Sequence, residues 1–255
     1  MSIAIEQVVV EYASKRILDG IALDIAEGEF VAIVGETGCG KSTLLRLILA
    51  EERPSAGRVL VQGKQRSRPD RTCGYVPQRY SLFPDKTVLD NVTFGLEVTA
   101  LGFARRKRRA FQEEALRYLR HTGLTEADAR KYPHQLSGGM QQRVAIAQAL
   151  IVKPPVLLMD EAFSALDPST RRGMQKLMRE LWQESGMTVV FVTHNTREAV
   201  CLGSRVVALV KQGDRGSSIA LDVQVPHLDF DSDGEELDRL IASVDLKSCQ
   251  GGRGI

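Results

Sequence analysis

Gly35-Glu36-Thr37-Gly38-Cys39-Gly40-Lys41-Ser42-Thr43 follows the apolar run Phe30-Val31-Ala32-Ile33-Val34 and leads into Leu44-Leu45-Arg46-Leu47-Ile48-Leu49. A strand, a glycine-rich turn and a helix in that order are the context a G-x-x-x-x-G-K-[ST] phosphate loop requires. Glycines let the backbone approach a ligand closely, and the amides of 38–43 would point inward at a helix N-terminus, where the dipole favours anions. Lys41 would bring a full positive charge to the outer phosphates and Ser42 a hydroxyl to Mg²⁺. The stretch therefore predicts an α/β core built around a phosphate-binding loop.

The 255 residues allow one large domain or a core with a smaller lobe. A hydrophobic content of 43% is ample for a core, and a net charge of +2 lacks the basic excess of a nucleic-acid binder. No apolar run approaches the roughly 20 residues that span a bilayer, and the start, Met1-Ser2-Ile3-Ala4-Ile5-Glu6, lacks the features of a signal peptide. Cys39, Cys73, Cys201 and Cys249 are scattered without metal spacing, which fits a reducing cytosol. The expectation is a soluble, cytoplasmic protein.

Outward from the loop, 3–12 and 21–25 read as strands, as do 58–63 and 73–77, while 64–71 reads as a loop. Tyr12 is either an ordinary strand aromatic or a platform for a purine. Gln78, just past a strand end, could coordinate a metal or orient water. Between 87 and 150 the texture becomes helical, with helices over 87–96, 111–122 and 139–150, read as a lobe inserted into the core. Leu116, Leu119 and Phe111 are expected to share a face of the middle helix. Arg105-Arg106-Lys107-Arg108-Arg109 could grip phosphates, but a solvated face partly offset by Glu113 and Glu114 is the better account.

Leu136-Ser137-Gly138-Gly139-Met140-Gln141-Gln142 places a serine and two glycines ahead of a helix. Ser137 is at least an N-cap, and paired glycines there suggest close backbone approach to an anion. Val156-Leu157-Leu158-Met159 reads as a strand buried on both faces and ends in Asp160-Glu161. Carboxylates at that end of an α/β sheet sit where ligands bind: Asp160 would hold Mg²⁺ and Glu161 would polarise the attacking water. A second buried strand, 188–192, ends at Thr193-His194, where the histidine could touch the γ-phosphate. Strands are expected again near 206–210 and 217–225. Asp229-Phe230-Asp231-Ser232-Asp233-Gly234 begins like a calcium loop but has Leu240 at the twelfth position, so a capped helix through 244 is expected instead.

In this order the motifs resemble those of the ATP-binding cassette (ABC) family over about residues 3–210. Residues 35–43 are similar to its Walker A, Gln78 to its Q-loop and 136–142 to its signature. Asp160 resembles the Walker B carboxylate, Glu161 the catalytic glutamate, 164–167 the D-loop and His194 the switch histidine. Tyr12 falls where the family stacks an aromatic on adenine. The resemblance implies a P-loop NTPase core with an antiparallel β subdomain and an inserted α-helical subdomain, within a domain over 1–225 followed by a short C-terminal extension over 226–255. It implies ATP and Mg²⁺ as cofactors, with Ser42, Gln78 and Asp160 at the metal.

It also implies a head-to-tail homodimer or a pair with a close paralogue. Ser137, Gly139 and Gln141 of one copy would then cover the Walker A of the other. Two transmembrane permease subunits and a substrate-binding protein would complete an importer at the cytoplasmic face of the membrane. The segment Pro84-Asp85-Lys86-Thr87-Val88-Leu89-Asp90-Asn91-Val92 looks most similar to the nitrate/sulfonate/taurine type, and the groove beside Gln78–Val92 would receive a short helix of the membrane subunit. A soluble ABC ATPase of the iron–sulfur assembly kind is the alternative. Two positions depart from the family pattern. Gln148 stands where relatives commonly carry Arg, putting lobe packing in question, and Asn195 stands where they carry Asp. Cys39, at the start of the loop helix, is expected to have a lowered pKa and to be open to oxidation.

Overall fold

The computed structural model describes residues 1–226 except 14, 80, 81 and 101–103, together with 239, 241 and 242. Apart from those last three, which are helical, the expected C-terminal helix lies outside the described residues. In chain order the elements are β1 (Ile3–Tyr12), β2 (Lys15–Ile25), β3 (Phe30–Val34), α1 (Lys41–Leu49), β4 (Ala56–Val61), β5 (Lys64–Gln65) and β6 (Cys73–Val76). Then come α2 (Val88–Thr99), α3 (Ala104–His121), α4 (Glu126–Ala129), a 3₁₀ turn (Pro133–Gln135), α5 (Gly138–Leu150), β7 (Val156–Asp160) and α6 (Pro168–Ser185). The chain continues with β8 (Thr188–Val192), α7 (Thr196–Leu202), β9 (Arg205–Lys211), a second 3₁₀ turn (Gly213–Arg215) and β10 (Ser217–Gln224). These elements divide into two compact units, Met1–Cys73 with the chain from Trp182 onward, and Gly74–Leu181.

The first unit is organised by a sheet whose strands run β5-β4-β1-β2-β10-β9-β3-β8. At one end β1 pairs antiparallel with β2 and with β4, and β4 with β5. At the other, β3 pairs in parallel with β8 and β9. The difference follows from burial. All residues of β3 and β8 are buried, as strands with covered faces must be, whereas β2 alternates through Leu18, Ile21, Leu23 and Ile25. The antiparallel subdomain and the parallel core are therefore both present. Two details escaped the pattern. β2 begins at Lys15 rather than 21, and Lys64–Gln65, expected as loop, forms a two-residue strand against β4. Register shifts along β1, with Gln7 at φ 49, break the alternation that would have announced the longer hairpin. Arg205 staples this unit: its guanidinium bonds both Asp222 oxygens at 2.6 Å and also reaches the Asp24 carbonyl and Glu29. The Asp222 bonds and the Glu29 charge raise its pKa above the ordinary arginine value against the opposing pull of burial.

In the second unit β6 and β7 are hydrogen-bonded neighbours, and helices α2–α5 enclose a core of Val88, Val92, Ala115, Leu119, Val144, Ala147 and Ile151. The buried face of α3 centres on Ala115 and Leu119, four residues apart; Leu116 is at its edge and Phe111 is half-buried. Among the described residues of the basic run, Lys107, Arg108 and Arg109 are exposed, and Arg109 pairs with Glu113 at 3.1 Å. That is the solvated face. Gln148 is half-buried on α5, with Ala147 beside it fully buried, so the neutral side chain coexists with a closed core.

Candidate functional site

The phosphate loop connects β3 to α1 in the first unit. Gly40 is the cap residue of α1 at φ 93, and a Cβ there would lie 2.6 Å from Leu18 Cδ2, so conformation and space both demand glycine. At Gly35 a Cβ would come within 2.4 Å of the Leu209 carbonyl oxygen. No acidic side chain occupies the first turn of α1. The N–H groups of that turn, at the positive end of the helix dipole, thus favour an anion. Lys41 is buried, and its ammonium donates to the carbonyl oxygens of Gly35 (2.7 Å) and Glu36 (2.9 Å). A full positive charge is thereby held inside the turn. Around it Glu36, Thr37 and Gly38 are exposed, Ser42 is half-buried and Thr43 buried.

Cys39 corrects an expectation. Its thiol is 1% exposed, and burial pushes its pKa up against the opposing effect of Lys41. A helix N-terminus lowers a thiol pKa only where the thiolate keeps some solvation. Its backbone N–H donates to the Glu36 carbonyl at 3.3 Å, closing the turn.

Tyr12 ends β1 with 43% of its surface exposed, and its hydroxyl donates to Glu52. His194 follows β8 and is exposed. Beside it Asn195 caps α7, accepting the Glu198 N–H at 3.2 Å, while Thr193 bonds the Glu198 carboxylate at 2.8 Å. Asparagine and aspartate cap equally well, so the departure at 195 keeps the helix start.

In the second unit the structure brings Gln78 and Glu161 together, Nε2 donating to Oε2 at 2.9 Å. Glu161 has φ 47, a left-handed conformation that costs a non-glycine residue about 1–3 kcal/mol and marks sites where geometry is imposed. Asp160, the last residue of β7, is buried immediately before it. Asp167 accepts the Thr170 N–H at 3.1 Å and the Ser169 hydroxyl at 2.7 Å, and these bonds hold its carboxyl below the usual range. Asp167 thus precedes α6, with Pro168 at the first helical position.

Ser137 caps α5, its Oγ accepting from Met140 N at 3.3 Å, and Gln141 Nε2 donates to the Leu136 carbonyl at 3.3 Å. Gly139 does not need to be glycine for its own chain: a Cβ would meet Leu166 Cδ2 at an ordinary 3.4 Å. Two residues were not found from sequence. Glu52 lies 40 positions from Tyr12, and Asn91 holds the turn before α2 through contacts with four backbone groups. Neither acid of Glu51-Glu52-Arg53-Pro54 signals a distant partner, whereas Asn91 inside an apolar helical pattern signals a buried amide that needs hydrogen-bond partners.

A family model described as ABC transporter matches residues 18–164. An uncharacterized ABC transporter ATP-binding protein of Methanocaldococcus jannaschii is 44% identical over 219 residues, 85% of this chain and 80% of that one. A nitrate import ATP-binding protein of Synechococcus elongatus is 41% identical over 82% of this chain and 31% of its own length. An aliphatic sulfonates import ATP-binding protein of Burkholderia cenocepacia is 43% identical over 84% of this chain and 61% of its own. Among solved structures, a dimeric ATP-binding cassette in a post-hydrolysis state with ADP and Pi is 33% identical, with a TM-score of 0.79. The match covers 89% of this chain and all of that one.

Proposed function

The chain belongs to the ABC transporter family, and from that premise we propose that it is the ATP-hydrolysing energy-coupling subunit of an importer. Such cassettes hydrolyse ATP to ADP and phosphate to power transport. The observation that carries the reading for this chain is the Gln78–Glu161 bond at 2.9 Å on a residue held at φ 47. Glu161 accepts a proton from the water that attacks the γ-phosphorus; the bond to the bridging oxygen breaks and ADP leaves. Gln78 orients the carboxylate, and His194 contacts the γ-phosphate. Lys41 balances charge on the outer phosphates and the loop amides bind their oxygens. Tyr12 stacks on the adenine.

Hydroxyl, amide and carboxylate oxygens are the hard donors that suit Mg²⁺, which neutralises phosphate charge. Ser42, Gln78 and Asp160 are the residues proposed to hold it. A dimer completes the site: Ser137, Gly139 and Gln141 of one copy cover the phosphate loop of the other. The glycine that its own chain does not require at 139 supports close approach by another molecule.

No helix among the described residues is long and apolar enough to cross a membrane. Two separate transmembrane subunits then form the path, with a substrate-binding protein delivering solute and this chain peripheral at the cytoplasmic face. The segment 84–92 and the names of the relatives support a small oxyanion such as nitrate or a sulfonate, taurine included. Those import names set aside the soluble iron–sulfur alternative. Purification of the tagged chain from detergent-solubilised membranes tests the reading. Two membrane-spanning partners are expected; a soluble scaffold partner would overturn it.

A further inference from the structure

Stacking a purine requires only the face of an aromatic ring, yet the ring at position 12 carries a hydroxyl that is hydrogen-bonded to a carboxylate. That hydroxyl donates to one oxygen of Glu52. The other Glu52 oxygen lies 3.9 Å from Arg46 Nε, and the same nitrogen donates to the Ser42 carbonyl at 3.4 Å. Backbone bonds fix this frame. Glu51 and Glu52 both donate to the Arg46 carbonyl, Ser55 N donates to the Val9 carbonyl at 2.8 Å, and Glu11 N donates to Ser55 Oγ at 3.0 Å. The turn that carries Glu52 is thus tied both to α1 and to the strand that ends at Tyr12. Burial and Glu52 together raise the Tyr12 pKa against Thr43 and Arg46, so the hydroxyl remains a donor at neutral pH.

We propose that Glu52 is a positioning residue for nucleotide binding: it latches the Tyr12 hydroxyl and, through Arg46, sets the aromatic ring at a fixed place relative to Ser42 of the phosphate loop. A tyrosine free to rotate would have to be ordered by each arriving base; a latched one is ordered beforehand. The latch therefore acts on ligands that carry a base and not on a bare chain of phosphates. The inference rests on the reading of Tyr12 as the adenine platform.

The test compares binding of Mg-ATP and of inorganic tripolyphosphate to the full chain by calorimetry. Glu52→Ala and Tyr12→Phe are each expected to weaken ATP about three- to tenfold. Their combination should be no worse than either alone, and tripolyphosphate affinity should stay within about twofold. If Tyr12→Ala weakens ATP while Glu52→Ala and Tyr12→Phe do not, the latch is refuted and the platform stands. If Tyr12→Ala has no effect on ATP, the platform itself fails and the latch with it. Equal losses for ATP and tripolyphosphate in Glu52→Ala would place its effect on the phosphate loop and overturn the proposal.

Discussion

Replacing Asn91 by alanine should loosen the turn that the account assigns to the membrane partner. Asn91 is fully buried. Its Oδ1 accepts the Phe83 N–H at 2.8 Å, and its Nδ2 serves the carbonyls of Phe83 (3.1 Å), Lys86 (3.1 Å) and Thr87 (2.9 Å). Two amide protons shared among three carbonyls, plus one accepted bond, amount to three hydrogen bonds. At about 0.5–1.5 kcal/mol net for each, their loss costs roughly 1.5–4.5 kcal/mol. Phe83 is exposed, so water can replace part of what its backbone loses, and about 2–3 kcal/mol is the expected cost. The turn also presents Phe83 against Phe94, ring centroids 4.6 Å apart, with the Lys86 ammonium 5.4 Å from the Phe94 ring. Urea denaturation measures the stability change, and hydrogen exchange at the Phe83 amide measures its local part. Asn91→Asp, which loses both donors and sets a charge among carbonyl oxygens, should be at least as destabilising. In the assembled complex Asn91→Ala should lower transport-coupled turnover more than ATP affinity. A loss below about 0.5 kcal/mol would refute the reasoning, because it would mean the four contacts do not hold the turn.

Two further predictions concern ionisation. The Cys39 thiol, buried with a raised pKa, should alkylate far more slowly in the folded chain than in urea at pH 7.5, as read by mass spectrometry. Because the folded value lies above the unfolded one, about 8.5, its stabilising contribution is present below that pH and fades above it. Rapid labelling in the native state would contradict the burial. Asp128, bonded to Lys131 at 2.6 Å and to Thr125 in a capping box, has its pKa lowered to about 2. The folded value is depressed, so its contribution is full above about pH 4 and is lost as pH falls toward 2. Asp128→Asn should therefore narrow its stability deficit against the parent chain over that interval in urea titrations; a constant difference would count against the assignment.

The readable parts of this chain were those in which one local requirement fixes the residues. The phosphate loop demands glycines and a lysine at set spacing, and the apolar runs 30–34, 156–159 and 189–192 can only be buried. The carboxylates at the end of β7 and the serine cap of α5 follow from the same local logic. What stayed hidden depends on long-range contact or backbone strain. Glu52 meets Tyr12 across 40 residues, and Glu161 takes a left-handed conformation that its side chain does not advertise. Cys39 misled because proximity to a helix N-terminus is visible in sequence, whereas the desolvation that outweighs it is set by tertiary packing. The short β5 and the early start of β2 were lost because bulged or two-residue strands have too few residues to show alternation.

The central claim is that this chain is half of an ATP-hydrolysing pair in which Glu161 activates the water. Sedimentation of the purified Glu161→Gln chain with and without Mg-ATP, alongside phosphate release, tests it most directly. Turnover should fall on the order of 10²- to 10³-fold, with the chain shifting from monomer to a stable dimer only when ATP is present. Ordinary turnover, or a chain that binds ATP and remains monomeric at every concentration, would contradict it.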